Sequence, residues 1–148
     1  DAARAKELDI PLKYWNKLQH GETITDGDIT YTPDMVMGEA RRGIKVNYCT
    51  DTRPVPIIAD YATDCDLFIC EGMYGEDEKE ENAKEHKHMT MMEAANLGKV
   101  ANPKRMWLTH YSPSMNKPDE YIDKLKKICP VIETARDGWS VELGYEEE

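Results

Sequence analysis

Asp51, Glu71 and His110 each lie at or just past the end of a short apolar run, and that placement makes them the first candidates for chemistry in this chain. The stretches are Val46-Asn47-Tyr48-Cys49-Thr50-Asp51-Thr52-Arg53, Leu67-Phe68-Ile69-Cys70-Glu71 and Met106-Trp107-Leu108-Thr109-His110-Tyr111-Ser112-Pro113. Such a run reads as a buried strand, and in α/β proteins the loops leaving the carboxyl ends of strands collect ligands and reacting groups. A carboxylate on a rigid strand end can bridge two divalent cations and offset their repulsion, which is the role open to Asp51. A neutral imidazole at a neighbouring strand end, His110, binds the same ions. His88 stands just before a helix start; as an imidazolium it could donate a proton to a leaving alkoxide, with Glu71 orienting its other nitrogen.

Each of these residues also has a structural reading. Asp51 could close an Asx-turn or cap the helix beginning near Val55. His110 could be a satisfied structural histidine, and Glu71 a strand-end carboxylate held by backbone N–H groups. His86-Lys87-His88 falls between a charged helix and a helix cap, so it is not read as a two-ligand pair.

The elements that must position these groups alternate along the chain. Ala2 to Leu8 and Leu12 to Leu18 have helical composition and are separated by Pro11, which lacks an N–H and restricts its predecessor. Glu22-Thr23-Ile24 and Ile29-Thr30-Tyr31 flank Asp26-Gly27-Asp28 as a short hairpin. From Ile44 the pattern predicts a strand at 45–49, a helix at 55–63 and a strand at 67–70. A charged, solvated helical segment follows over 76–87. Thr90-Met91-Met92-Glu93 fits a capping box that opens a helix to about Val100. Arg105 to Thr109 is the next strand, and Pro118 opens a helix over 119–128 whose Tyr121, Ile122, Leu125 and Ile128 share a face. Val131 to Thr134 and Trp139 to Leu143, joined through Asp137-Gly138, read as a terminal β-hairpin. The class is α/β with layered α+β character, and an antiparallel edge is expected. Residues 1–43 form a helical and looped lead-in to the strand-and-helix region 44–148, which ends in the acidic Glu146-Glu147-Glu148.

Composition narrows the function classes. With 19 Lys+Arg against 29 Asp+Glu, the 148-residue chain carries a net charge of −10 and offers no broad basic platform for nucleic acid. No apolar stretch approaches the roughly 20 residues that span a bilayer, and no signal-peptide core opens the chain, so a cytoplasmic protein without membrane contact is expected. Cys49, Cys65, Cys70 and Cys129 form no Cys-x-x-Cys pair and read as reduced, buried thiols. There is no phosphate-binding glycine loop and no Gly-x-Ser-x-Gly elbow.

Taken in order, these motifs resemble the C-terminal half of ribonuclease Z, the tRNA 3′-trailer endonuclease of the metallo-β-lactamase fold. The family's Ser-Gly-Asp-Thr-like motif is represented by Cys49-Thr50-Asp51-Thr52 and its His-Glu-Ala-Thr by Cys70-Glu71-Gly72-Met73. Its His-Ser-Thr appears as His88-Met89-Thr90, and its Leu-Thr-His-Phe-Ser as Leu108-Thr109-His110-Tyr111-Ser112. The resemblance implies an αββα sandwich, a pair of zinc ions bound in part by Asp51 and His110, and His88 supported by Glu71 at the scissile phosphate and leaving oxygen. It departs from the family at Cys70 for His, Gly72-Met73 for Ala-Thr, Met89 for Ser and Ser114 where the family often has Arg.

The family's His-x-His-x-Asp-His motif and one further His belong to an N-terminal half and are not in this chain. Each zinc needs about four ligands, so Asp51 and His110 alone cannot hold two. A truncated or processed chain, inactive alone and pairing with the N-terminal half or with itself as a homodimer, is therefore expected, with precursor tRNA as the substrate of the whole enzyme. The alternatives are a related phosphodiesterase acting on small substrates, and a non-catalytic interaction half.

Overall fold

Four parallel strands and the helices between them carry every candidate residue. The computed structural model describes residues 1–38 and 42–145, which leaves the acidic Glu146-Glu147-Glu148 outside the described residues. Residues 1–42 and 43–148 form two compact units.

In the first unit, α1 (Ala2–Glu7) is capped by the Asp1 carboxylate, which accepts from the N–H groups of Ala3 and Arg4. The second helix, α2 (Leu12–Gln19), follows Pro11, and β1 (Ile24–Asp26) pairs antiparallel with β2 (Ile29–Tyr31). The hairpin's two-residue turn places Gly27 at φ +63°, where a glycine meets no steric cost. Ala5, Ile10, Leu18, Tyr31 and Val36 form this unit's own small core.

The second unit holds β3 (Val46–Cys49), α3 (Pro56–Ala62), β4 (Leu67–Glu71), α4 (Glu80–His86), α5 (Met91–Ala101), β5 (Met106–Thr109), α6 (Ile122–Lys126) and β6 (Ile132–Thr134). The strands lie in the order β3-β4-β5-β6, all parallel. Parallel neighbours need crossovers, and α3, α5 and α6 pack their small and apolar faces on one side of the sheet. Ala59, Ala62, Ala94, Ala95, Ala101 and Leu125 from the helices meet Phe68, Cys70, Met106, Leu108 and Ile132 from the strands. Gly98 lets α5 approach closely, since a Cβ there would stand 2.3 Å from Met106 Sδ and 3.0 Å from Cys129 Sγ.

Two expectations are corrected. Among the described residues the sheet has no antiparallel edge, because the helical segment 118–126 carries the chain over before β6, which enters parallel to β5. The terminal β-hairpin does not form. Asp137-Gly138 does turn, with Gly138 at φ +86°, but residues 139–143 make no strand. Trp139 instead packs edge-on to Trp107, with ring centroids 5.8 Å apart, and Val141 and Leu143 lie against Leu67, Trp107 and Ala135 on the sheet face opposite the helices. Covering that apolar surface competes with strand pairing and wins.

Candidate metal centre

The carboxyl ends of β3, β4 and β5 are level with one another, as the partners Cys49–Cys70 and Glu71–Thr109 show. Asp51 lies two residues past Cys49, the last of β3, and His110 directly follows Thr109, the last of β5; both take left-handed backbone angles, φ +51° and +56°. Few residues other than glycine do so, although Asp and His are enriched among them. These turns bring the side chains together: Asp51 Oδ1 is 3.2 Å from His110 Nε2 and 3.8 Å from His88 Nδ1. The imidazole rings of His88 and His110 stand 5.2 Å apart between centroids. Ligand-capable atoms of Asp51, His88 and His110 all lie within 4.8 Å of one another.

This donor set suits a divalent cation. Two ligand atoms each about 2.0–2.1 Å from a tetrahedral zinc are about 3.3 Å apart, close to the Asp51–His110 spacing. Asp51 is the most open of the three, with 64% of its side chain exposed, against 38% for His110 and 17% for His88. The mixture of oxygen and imidazole nitrogen favours zinc-like ions over soft ones.

Glu71 lies beneath this group with a side chain that is 0% exposed. Its carboxylate accepts from Thr52 N–H at 2.6 Å, from Met89 N–H at 3.2 Å, and pairs with His88 Nδ1 at 3.0 Å. Glu71 is therefore satisfied by backbone N–H groups and also contacts the His88 ring. A buried carboxylate needs such partners, since an unpaired one is heavily penalised. With Nδ1–H donating to Glu71, His88 presents Nε2 away from that contact.

Asp51 does not cap α3, whose preceding residue Val55 makes no side-chain cap and whose first residue is Pro56. That loop instead supplies a second brace, not foreseen from the sequence. Arg53 forms a bidentate pair with Glu93, one arm at 3.1 Å, and its Nη1 donates to the His88 carbonyl at 2.5 Å. Glu93 is at the same time the far end of the capping box, accepting from Thr90 N–H at 2.9 Å while Thr90 Oγ1 accepts from Glu93 N–H at 3.1 Å. The box was legible as Thr90-x-x-Glu93; its guanidinium partner 40 residues away was not. The Thr52–Glu71–His88 contacts and the Arg53 bonds to Glu93 and the His88 carbonyl tie the loop after β3 to the segment that carries His88.

Tyr111 fixes the other side. Its hydroxyl donates to Leu108 O at 2.5 Å and lies 3.1 Å from Ala135 O, pinning the residue after His110 between β5 and β6. Burial pushes this phenol well above its ordinary value of 10.0. Beside His110 opens a cavity of about 790 Å³ lined by Tyr111, Asn116, Lys117 and Arg136, among others. Asp119, on the same wall, bonds Thr134 Oγ1 and Arg136, and these contacts hold its carboxyl below the usual range.

Below the carboxylate and imidazole layer, all four cysteines are free, three buried and Cys49 partly so. Cys49 and Cys70 are register partners on β3 and β4; the neighbouring thiol holds Cys49 below its ordinary value and, with burial, pushes Cys70 well above it.

Comparisons with known proteins bear on what this geometry serves. No family model matches the chain. It is 61% identical over 148 residues to ribonuclease Z of Lachnospira eligens, an alignment covering 100% of this chain and 49% of that protein. Against ribonuclease Z of Lachnoclostridium phytofermentans the identity is 50% over 142 residues, covering 96% and 47%. The chain thus spans about half the length of the curated relatives it matches. Among solved structures, the metallo-beta-lactamase fold protein YhfI from Bacillus subtilis is similar with a TM-score of 0.56 at 22% identity, over 79% of this chain and 41% of that one. The family and the fold suggested by the motifs are borne out.

Proposed function

Because the chain belongs to the ribonuclease Z family and spans about half the length of its curated relatives, we propose that it is the C-terminal half of a zinc-dependent endoribonuclease that removes the 3′ trailer from tRNA precursors in the cytoplasm. The observation that carries this reading is the buried Glu71 holding His88 beside Asp51 and His110 at the ends of three adjacent parallel strands. Zinc, when bound, supplies Lewis acidity and brings the pKa of water toward neutrality.

Asp51 and His110 would contribute oxygen and nitrogen ligands, the remainder coming from the other half of the protein. Glu71 fixes the tautomer of His88 and stabilises its imidazolium, so that a proton held at Nε2 can pass to the departing oxygen. The cavity beside His110 gives the substrate room, and its Lys117 offers a cation toward phosphate on a chain otherwise acidic. Thr50 Oγ1, one residue before Asp51, is buried without a hydrogen-bond partner among the described residues. The other half is the natural source of that partner and of the cover for the open sheet face. This chain alone is then inactive, and the other half completes the site.

One observation favours a smaller phosphodiester as substrate. Ser114 stands where an Arg clamp would, and its hydroxyl is occupied with Ser112 Oγ at 2.8 Å. Assays of the intact protein on precursor tRNA and on a chromogenic phosphodiester separate the two. Cleavage of both is expected for the ribonuclease; cleavage of the small ester alone overturns the tRNA assignment. Asp51→Ala is expected to lose bound zinc and activity together, and full metal content in that variant would overturn the site.

A further inference from the structure

His88 stands in the short link of residues 87–90, where Lys87 closes α4 in a left-handed turn at φ +61° and Thr90 caps α5. A residue in so short a link owes its position to what its own backbone and ring touch. Its N–H donates to Ala83 O at 2.8 Å, its ring Nδ1 meets Glu71 at 3.0 Å, and its carbonyl accepts from Arg53 Nη1 at 2.5 Å. The same guanidinium forks onto both oxygens of Glu93, in the first turn of α5. The Arg53 and Glu93 side chains are only 25% and 20% exposed, so the pair is sheltered from the solvent that weakens ion pairs on a surface.

We infer that Arg53 is a positioning residue for His88: anchored by Glu93, its guanidinium holds the His88 carbonyl and so fixes where the imidazole Nε2 stands relative to the departing oxygen. This rests on the reading of His88 as the acid given above. Glu71 holds the ring at one atom, whereas Arg53 holds the peptide from which the ring hangs, and the two anchors together define an orientation that neither defines alone. The planar fork of Arg suits the task, since it grips a carboxylate with two N–H groups in fixed geometry while one arm also reaches the carbonyl; a lysine ammonium is a point charge and cannot reproduce that.

The step that depends on this placement is transfer of the proton from His88 Nε2 to the oxygen whose bond to phosphorus breaks. A ribose oxygen is a poor leaving group and needs that proton, whereas p-nitrophenolate departs as a stable anion and takes none. A misplaced His88 therefore slows cleavage of RNA and spares the nitrophenyl ester, while loss of fold or of metal slows both.

The test compares the intact protein with its Arg53→Lys, Glu93→Gln and His88→Ala variants on precursor tRNA and on bis(p-nitrophenyl) phosphate, with bound metal measured for each. Arg53→Lys should lower kcat on precursor tRNA by about thirtyfold or more with KM nearly unchanged, and change the rate on the nitrophenyl ester by less than about threefold, at full metal content. Glu93→Gln leaves a carbonyl oxygen to accept from Thr90 N–H, so the capping box survives while the charged anchor of Arg53 is lost. It should show the same split at smaller size, and it decides by the same criterion if Arg53→Lys fails to fold. Losses of equal size on both substrates, a change in KM alone, or no loss on either would overturn the inference. His88→Ala should show the split at its greatest. If it instead slows both substrates equally, the reading of His88 as the acid fails and the inference fails with it; a split in His88→Ala that is absent from Arg53→Lys and Glu93→Gln overturns the inference alone.

Discussion

The two faces of the parallel sheet are built from the same strands and meet different fates. On one, Phe68, Cys70, Met106, Leu108 and Ile132 are sealed at 0% exposure under α3, α5 and α6. On the other, Leu67, Ile69 and Trp107 find only Ala135, Val141 and Leu143 for cover, and on the edge strand Val46 and Tyr48 remain 51% and 67% exposed. Strand alternation writes both faces in apolar residues, as expected for a parallel sheet buried on both sides. The difference teaches that this chain closes one of its layers and leaves the second partly open among the described residues, while the metal-capable residues sit along the end shared by both.

The largest effects should fall on the closed face. Phe68→Ala should cost about 3–5 kcal/mol, since it opens a cavity where α3 and α5 cannot both collapse. Ile69→Ala, one residue on and facing the other way, should cost under about 2 kcal/mol in this chain because its surroundings are already partly open. Urea midpoints for the two variants check the ratio, and equal losses would break the contrast between the faces.

Gly98→Ala comes next, at about 1–3 kcal/mol, because the added methyl meets Met106 Sδ and Cys129 Sγ at overpacked distances. Pairing it with Met106→Ala, which makes room, should recover part of the loss in the same denaturation experiment.

How much of this was legible beforehand follows from what each signal encodes. The strands, the Thr90–Glu93 box and Pro118 as a helix start are local patterns, and the structure carries each of them. Asp51, Glu71 and His110 were legible because the carboxyl ends of parallel strands lie on one side, so residues at or just past apolar runs are brought together by topology, whereas His88 was legible only as a residue set just before the Thr90 cap. The terminal hairpin failed because Asp137-Gly138 encodes a turn but not what the chain beyond it will touch. Trp139, Val141 and Leu143 were drawn to an apolar face rather than to a ladder. Arg53 with Glu93 was invisible for a related reason: no local pattern relates residues 40 apart on different elements.

At the seam between the faces, Tyr111→Phe should cost about 1 kcal/mol at neutral pH, the worth of a phenol hydrogen bond to Leu108 O with the methylene and ring packing kept. The pH dependence sharpens this. A group whose value is raised by folding contributes stability that is fully present below its unfolded value and is lost as pH rises. The Tyr111 contribution should therefore hold up to about pH 10, its ordinary value being 10.0, and fade above it. The stability difference between the native protein and Tyr111→Phe, followed by chemical denaturation from pH 8 to 11, should shrink only in the upper part of that range.

The smallest effect on this chain should come from its open face. Tyr48→Ser removes a side chain that is 67% exposed, so its unfolding free energy should change by less than about 0.5 kcal/mol. If the face is instead the inner layer of a sandwich completed by the other half, the same substitution removes an aromatic anchor from a buried interface. Loss of such an anchor costs about 2 kcal/mol or more of binding. Binding of the environment-sensitive dye ANS to the isolated chain should fall in Tyr48→Ser, and its association with the separately produced other half should weaken by about thirtyfold. A variant with unchanged stability and unchanged association would show that Tyr48 lies outside the completed interface and that the second layer is closed elsewhere along the sheet.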